Sequence, residues 1–423
     1  MHIALFILYF LLLCLAITRM RFFNASIKPL YLVGLFGIHV ALGCVHTWIA
    51  FRFYPGHGDI WVFFKESNHL RQQLLADPAR FFRDVFSAGA FNLLDTNQPL
   101  LDVQYKTLQY INLALNTISF NNLYINTLLF SFPAFGGTMA LFKIFYKLFG
   151  SPLPAFCVLL LPSVLFWTTV VYKDGVFYMA LGFFLYYLLQ PGGVWFRKWI
   201  LLLIFFVLMV ISRANALLSL LPALLFFILA EKKSMGKVLA FVITVATLIL
   251  GVVVFNAWLP DGVLTSIAER QKDFQSLTGG SRIYLPLLEP TPGGFLAVFP
   301  TALVNGFFQP LPGQGGKIIY TAFSAELLAV WAIVLFAGLL AARKKMARPG
   351  NFGLACLLFA LPGMIMIGYM VPFAGAIIRY RSIYLPFLLA PFIHIICRYP
   401  VPAVQRVNEW LYRKVMAAGY QGA

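Results

Sequence analysis

Charge is what this chain of 423 residues has least of: Asp, Glu, Lys and Arg together make up 11%, against about 25% in an ordinary soluble domain. The five cysteines, Cys14, Cys44, Cys157, Cys356 and Cys397, show no C-x-x-C spacing and all lie in apolar runs. That argues against a zinc site or a disulfide framework and reads as buried thiols. No short-period repeat, low-complexity tract, soluble domain or recognised nucleotide loop is present. Acids are scarcest, 14 against 32 Lys and Arg, for a net charge of +18. In a soluble protein this would suggest nucleic acid, but here the cations sit in short clusters between apolar runs, with no basic domain.

What the chain does have is 61% hydrophobic residues, with 44 Phe, 19 Tyr and 8 Trp and a mean hydropathy of +0.84. So much apolar surface cannot be hidden in one core, and the aromatic rings suit bilayer interfaces. The expected fold is therefore all-α, a polytopic transmembrane bundle. Spans are predicted near 3–18, 30–51, 121–142, 153–172, 175–190, 199–212, 215–230, 238–257, 319–342, 352–371 and 382–397, eleven in all. The first run has no basic residue before it and Arg19 and Arg21 after it, the reverse of a secretory signal, so it is read as a retained helix. Residues 1–399 form one transmembrane domain, followed by a cytoplasmic amphipathic tail at 400–423.

Basic residues orient the spans. Arg19, Arg21 and Lys28; Lys143 and Lys147; Arg197 and Lys198; Lys232, Lys233 and Lys237; Arg343, Lys344, Lys345 and Arg348; and the tail's Arg406, Arg413 and Lys414 fall in alternate loops. The positive-inside rule makes these cytoplasmic and places the N-terminus outside. Because both flanks of 199–230 are basic, that stretch must cross an even number of times. It is read as a hairpin of two short helices with Arg213 at the outer turn, since a single helix would bury Arg213 mid-membrane. Two long outer loops result, 52–120 and 258–318. The first carries amphipathic patterns over Trp61 to Leu75 and Pro78 to Phe91, expected to lie in the interface plane.

This topology gathers scattered charges on one face: Asp59, Lys173, Asp174, Arg213, Arg282, Arg379 and Arg381. Carboxylates and cations at one depth suit chemistry on a lipid phosphate. Asp59 could act as general base or merely cap the helix that follows; His57 beside it is a weaker candidate. Lys173 and Asp174 either solvate a short turn or meet a headgroup phosphate. Arg379 and Arg381 run against the positive-inside bias, and guanidinium forks suit phosphate oxygens, although snorkelling would also place them there. Glu326, the one acid inside an apolar run, faces either a cavity or an ordinary helix end. In 258–318, Gly279-Gly280-Ser281-Arg282 reads as a surface turn that could approach a phosphate.

Three of these stretches resemble the GT-C-type membrane glycosyltransferases, which use polyprenyl-phosphate-linked sugars: Gly58-Asp59 early in the first outer loop; Pro162-Ser163-Val164-Leu165-Phe166-Trp167 running to Lys173-Asp174; and Arg379-Tyr380-Arg381 through Pro386. The resemblance implies a GT-C-like many-helix bundle whose lipid-facing cavity opens outward. Asp59 would match the family's first-loop catalytic acid, and the cations its phosphate-binding groups. Asp59 has no neighbouring acid, the large soluble domain of some members is absent, and an extra N-terminal helix precedes the first core helix.

The expectation is an enzyme of a bacterial-type inner membrane. It would pass a sugar from a polyprenyl-phosphate donor to a glycan, lipid or protein acceptor on the extracytoplasmic face. No metal ligand set and no nucleic-acid partner is expected, while a divalent metal stays open as cofactor. Alternatives are a polysaccharide polymerase of O-antigen or exopolysaccharide type and a lipid-linked glycan transporter or flippase. The two long asymmetric outer loops speak against the transporter, which would more often show paired broken helices.

Overall fold

The computed structural model describes residues 1–56, 58–87, 99–190, 192, 194–232, 235–258, 262–314, 318–344 and 349–418. The chain is helical: α1 (His2–Arg19), α2 (Arg21–Asn24), α3 (Pro29–Phe53), α4 (Asp59–Ala76), α5 (Pro78–Phe86), α6 (Pro99–Ser119), α7 (Leu123–Phe149), α8 (Pro152–Leu160), α9 (Pro162–Thr168) and α10 (Lys173–Leu189) make up its first half. There follow α11 (Trp195–Ala230), α12 (Lys237–Trp258), α13 (Gly262–Ser276), α14 (Pro292–Phe308), α15 (Ile318–Lys344), α16 (Asn351–Met370), α17 (Ala374–Arg381), α18 (Leu385–Cys397) and α19 (Pro402–Trp410). Among the described residues no strand forms beyond two isolated bridges, Ile27 with Met416 and Arg282 with Phe373. Proline sets many of the helix starts, at Pro29, Pro78, Pro152, Pro162, Pro292 and Pro402, where its missing N–H costs nothing and its φ is already helical. Asp77 and Asn122 add side-chain caps to α5 and α7.

The bundle is built around α7, whose apolar stretch is 83% buried, while those of α1 and α12 are 11% buried. Phe135, Phe142 and Phe145 of α7 are fully enclosed. Outward, α1, α12 and α15 expose rows of large apolar side chains such as Leu8, Leu11, Leu239, Ile249, Leu250 and Leu335. Water would not tolerate so extended an apolar surface on a folded chain, whereas in lipid a helix satisfies its own backbone and such a surface is stable. The protein is therefore a multi-pass membrane protein. Among the described residues seven helices are long and apolar enough to cross, or eight if α17 and α18, bent by 58°, count as one broken span.

Helices α7 and α10 approach closely where Gly137 meets Gly182. A Cβ on Gly137 of α7 would stand 2.5 Å from the Met179 Cα of α10. Gly137→Val is expected to destabilise by at least the 1–3 kcal/mol or so typical of overpacking, read as a lower melting temperature in detergent.

Several of the basic segments are joined by hydrogen bonds. At one end, Lys28 Nζ donates to the Arg413 carbonyl, Ser151 Oγ to Asn408, Tyr412 to the Gly150 carbonyl and Asn351 to the Ala230 carbonyl. These contacts join the segments at Lys28 and at Gly150–Ser151 to the tail, and the loop at Ala230 to Asn351; Lys233, Lys345 and Arg348 lie outside the described residues. Expected as an amphipathic tail, the segment after residue 400 is in part a strap, with Leu411 and Val415 buried and backbone bonds joining Ser26 to Ala417 and Lys28 to Val415.

Helix α11 departs from helical geometry at Arg213 (φ −153°, ψ 66°), and its two halves run beside α10 in opposite directions. Lys198 reaches Gln190, Phe205 stacks on Phe183 and Tyr187, and Arg213 meets Asp174. The chain then returns, so that Leu224 and Phe227 lie with Leu185 and Leu189.

Two expectations change. The span at 153–172 is two short helices, α8 and α9, broken where Pro162 restarts the chain at an extended Leu161. The second outer loop contains α13 and α14. α14 is a 17-residue apolar helix that packs on α16 through Gly306 and Gly368, and Pro292, Pro300 and paired glycines masked its periodicity. In the first outer loop α4 and α5 form as predicted, α5 ending at Phe86 with Phe82 and Phe86 exposed; residues 88–91 lie outside the described residues.

Candidate functional site

At the end of the bundle opposite the basic loops, five of the predicted residues meet. Asp59 opens α4, and its position depends on the residue before it. Gly58, at φ +87°, is the N-cap, a backbone state that glycine adopts without strain. Asp59 therefore does not cap the helix, and its carboxylate is directed to Arg379, whose Nη1 donates to Oδ2 at 2.8 Å. Lys173 and Asp174 form the first turn of α10, after the extended Tyr172. Arg213 comes from the reversal of α11, and Arg379 from the last turn of α17.

Asp174 is the buried hub, with 0% of its side chain exposed. Arg213 donates to its Oδ1 from Nε at 2.9 Å and from Nη2 at 2.5 Å, and Arg379 Nε donates to its Oδ2. Such a carboxylate is tolerable in an apolar bundle because two guanidinium groups compensate its desolvation. Asp59 differs, since 39% of its side chain is exposed. Burial tends to raise its carboxyl, but the Arg379 guanidinium and the Lys173 charge outweigh that and hold it below its ordinary value.

Aromatic rings line the cations. The Arg379 guanidinium lies 4.4 Å from the Tyr172 ring centroid and 5.8 Å from that of Trp167, and Arg213 lies 3.9 Å from that of Tyr380. Lys173 Nζ donates to Gln104 Oε1 at 2.9 Å and sits 4.5 Å from the centre of the Tyr105 ring. Buried His46 packs against Phe166, Trp167 and Tyr172 from α3. Three cations against two carboxylates leave one positive charge. Lys173 carries it, since its hydrogen bond runs to a neutral amide.

Sequence reasoning missed Tyr172, Tyr380, Gln104 and Tyr105. The first two adjoin charged residues and could have been included; Gln104, from α6, carries no local signal. Other candidates are not brought in. Arg381, 1% exposed, donates to the Gly306 and Gln309 carbonyls and ties α17 to α14. Arg282 donates to the Gln275 carbonyl and stacks on Phe373. Glu326 accepts from Ser163 N (3.1 Å) and Oγ (3.0 Å), holding the start of α9. Glu326→Ala should therefore cost about 1–3 kcal/mol for a buried donor left unmade, measured as thermal unfolding in detergent. His57 lies outside the described residues.

The donor atoms of the cluster are already engaged. Both carboxylates already accept from guanidinium groups beside a lysine, and among the described residues no three His, Cys, Asp or Glu side chains converge. Comparison of the chain with protein-family models, with curated proteins and with solved structures finds no match.

Proposed function

We propose that the protein is a membrane glycosyltransferase of GT-C-type architecture, moving a sugar from a polyprenyl-phosphate donor to a hydroxyl acceptor. The observation that carries this reading is the sharing of Arg379 between Asp59 and Asp174. One carboxylate is buried and fixed; the other is half-exposed and held only by a cation that a phosphate would compete for. As the donor's phosphate engages Arg379 and Lys173, Asp59 loses part of its partner and its proton affinity rises. The acceptor oxygen then attacks the anomeric carbon, the bond from that carbon to the phosphate oxygen breaks, and the electron pair leaves with the polyprenyl phosphate. The acceptor's proton passes to Asp59. Preorganised cations that stabilise the departing phosphate would contribute most of the rate enhancement. Lys173→Ala is expected to raise KM for the donor more than it lowers kcat, because Lys173 would hold phosphate in both ground and transition states; an unchanged KM would remove Lys173 from the phosphate site.

In this reading the chain crosses a bacterial-type inner membrane eleven times, with α8–α9 as one broken span and α11 as two. The basic end is cytoplasmic, the site faces outward, and the acceptor is a glycan, lipid or protein. Cysteine labelling tests the orientation. With an impermeant maleimide on intact cells, Ser87→Cys should react and Val407→Cys should react only after permeabilisation, above the background of the unsubstituted chain. The opposite pattern would invert the topology.

A further inference from the structure

A second feature stands beside the ion-pair cluster, across α17. An open cavity of about 620 Å³ lies between α14, α17 and the extended segment after α13. This is within the range of roughly 300–1,000 Å³ usual for small-ligand sites. The extended segment is pinned to the start of α17 by Ile283 N to the Pro372 carbonyl and Ala374 N to the Ser281 carbonyl. Ala374 and Arg381 lie about 20° apart around α17, whereas Arg379 points about 140° away from Ala374. The cavity and the cluster therefore use opposite faces of one short helix.

The lining is polar in a particular way. Asn305, Gln309 and Gln314 supply amides, Ser281 and Thr301 supply hydroxyls, and Tyr284 supplies an exposed ring. Each amide is anchored by one atom. Asn305 Nδ2 donates to the Tyr284 carbonyl at 3.1 Å, and Gln309 Oε1 and Gln314 Oε1 accept from Leu311 N at 3.3 and 2.9 Å. Among the described residues the Asn305 oxygen and the two glutamine NH₂ groups have no partner, so the wall offers one fixed acceptor oxygen and two fixed donor groups. The Ser281 hydroxyl already accepts from Gly375 N, which leaves its proton to donate.

This set suits a polyol. An apolar ligand would strand the amides, and a phosphate would call for cations. Among the described residues the one cation in the lining, Arg282, is turned to Gln275 and Phe373, and no carboxylate contributes. Mixed amide donors and acceptors match sugar hydroxyls, and an aromatic face packs on the C–H face of a pyranose ring.

We propose that this cavity is a carbohydrate subsite taking a neutral sugar unit of the acceptor glycan. Its assignment to the acceptor rests on the glycosyl-transfer reading. A helix about 10 Å across separates it from Asp59, so the bound unit is not the reacting one, and the glycan chain passes around α17 to reach the cluster.

The test is binding of the full chain, reconstituted in nanodiscs, to a glycan array of neutral, uronic-acid-containing and phosphorylated oligosaccharides. Neutral oligosaccharides should bind, and Tyr284→Ala and Gln314→Ala should each weaken binding by about tenfold, roughly one lost net contact. Tyr284 is an exposed side chain, so its truncation does not threaten folding. Binding to no neutral glycan, binding to charged glycans alone, or binding indifferent to both substitutions overturns the subsite. Loss of transfer with Tyr284-dependent binding intact would count against the transferase reading and leave the subsite standing.

Discussion

Asp174→Asn is expected to be the most damaging substitution in the site. It removes the buried carboxylate that accepts from both Arg213 and Arg379 and leaves two guanidinium groups facing each other with 19% and 13% of their side chains exposed. Removing one partner of a buried pair costs about 3–5 kcal/mol, a large part of the stability of any single domain. The amide oxygen still accepts hydrogen bonds, but the NH₂ that replaces the other oxygen cannot, and the group carries no charge. Reversal of α11 at Arg213 should loosen with it, since the ion pair to Asp174 holds that turn against α10. The expected result is a lower melting temperature in detergent together with complete loss of transfer. A variant as stable as the parent would show that the hub does not organise the site.

Asp59→Asn is expected to separate stability from activity. The Asp59 side chain is partly exposed, so its pair with Arg379 is screened and contributes about 0–1 kcal/mol. Folding should therefore be close to unchanged. Loss of a general base lowers turnover by about 10²- to 10⁴-fold, and Asn cannot take the acceptor's proton. The pH dependence follows from the direction of the Asp59 shift. Its folded carboxyl sits below its ordinary value, so the Asp59–Arg379 pair is complete above the ordinary carboxylate range and is lost only as pH falls beneath it. Activity of the resting enzyme should accordingly show no acid limb near neutrality arising from Asp59.

Much of the arrangement could be read from the sequence because it follows from loop charge. Clusters such as Arg19–Arg21 and Lys143–Lys147 fixed the parity of the spans, and that parity alone put Asp59, Lys173, Asp174, Arg213 and Arg379 at one end. The reversal at Arg213 followed from the same count, although a 36-residue apolar stretch gives no other sign of turning. What failed has equally physical reasons. Arg379 and Arg381 look equivalent in sequence, yet on α17 they lie about 160° apart, and only one faces the cluster. Glu326 reads as a functional intramembrane acid, but its partner is the N-terminus of α9, created by a helix break at Pro162 that hydropathy smooths over. The periodicity of α14 was hidden by its own glycines and prolines. Gln104 and Tyr105 reach Lys173 from a separate helix, α6, and no local pattern encodes such a contact.

The proposed reaction is transfer of a sugar from a polyprenyl phosphate at this cluster, with Asp59 as base. It is tested most directly by incubating the purified chain in proteoliposomes with a radiolabelled polyprenyl-phosphate sugar and an acceptor glycan extract. Label is expected in the glycan fraction with release of polyprenyl phosphate, and is lost in Asp59→Asn while that variant keeps the melting temperature of the parent. Transfer that persists unchanged in Asp59→Asn, or a folded parent that consumes no donor with any acceptor fraction, would contradict it.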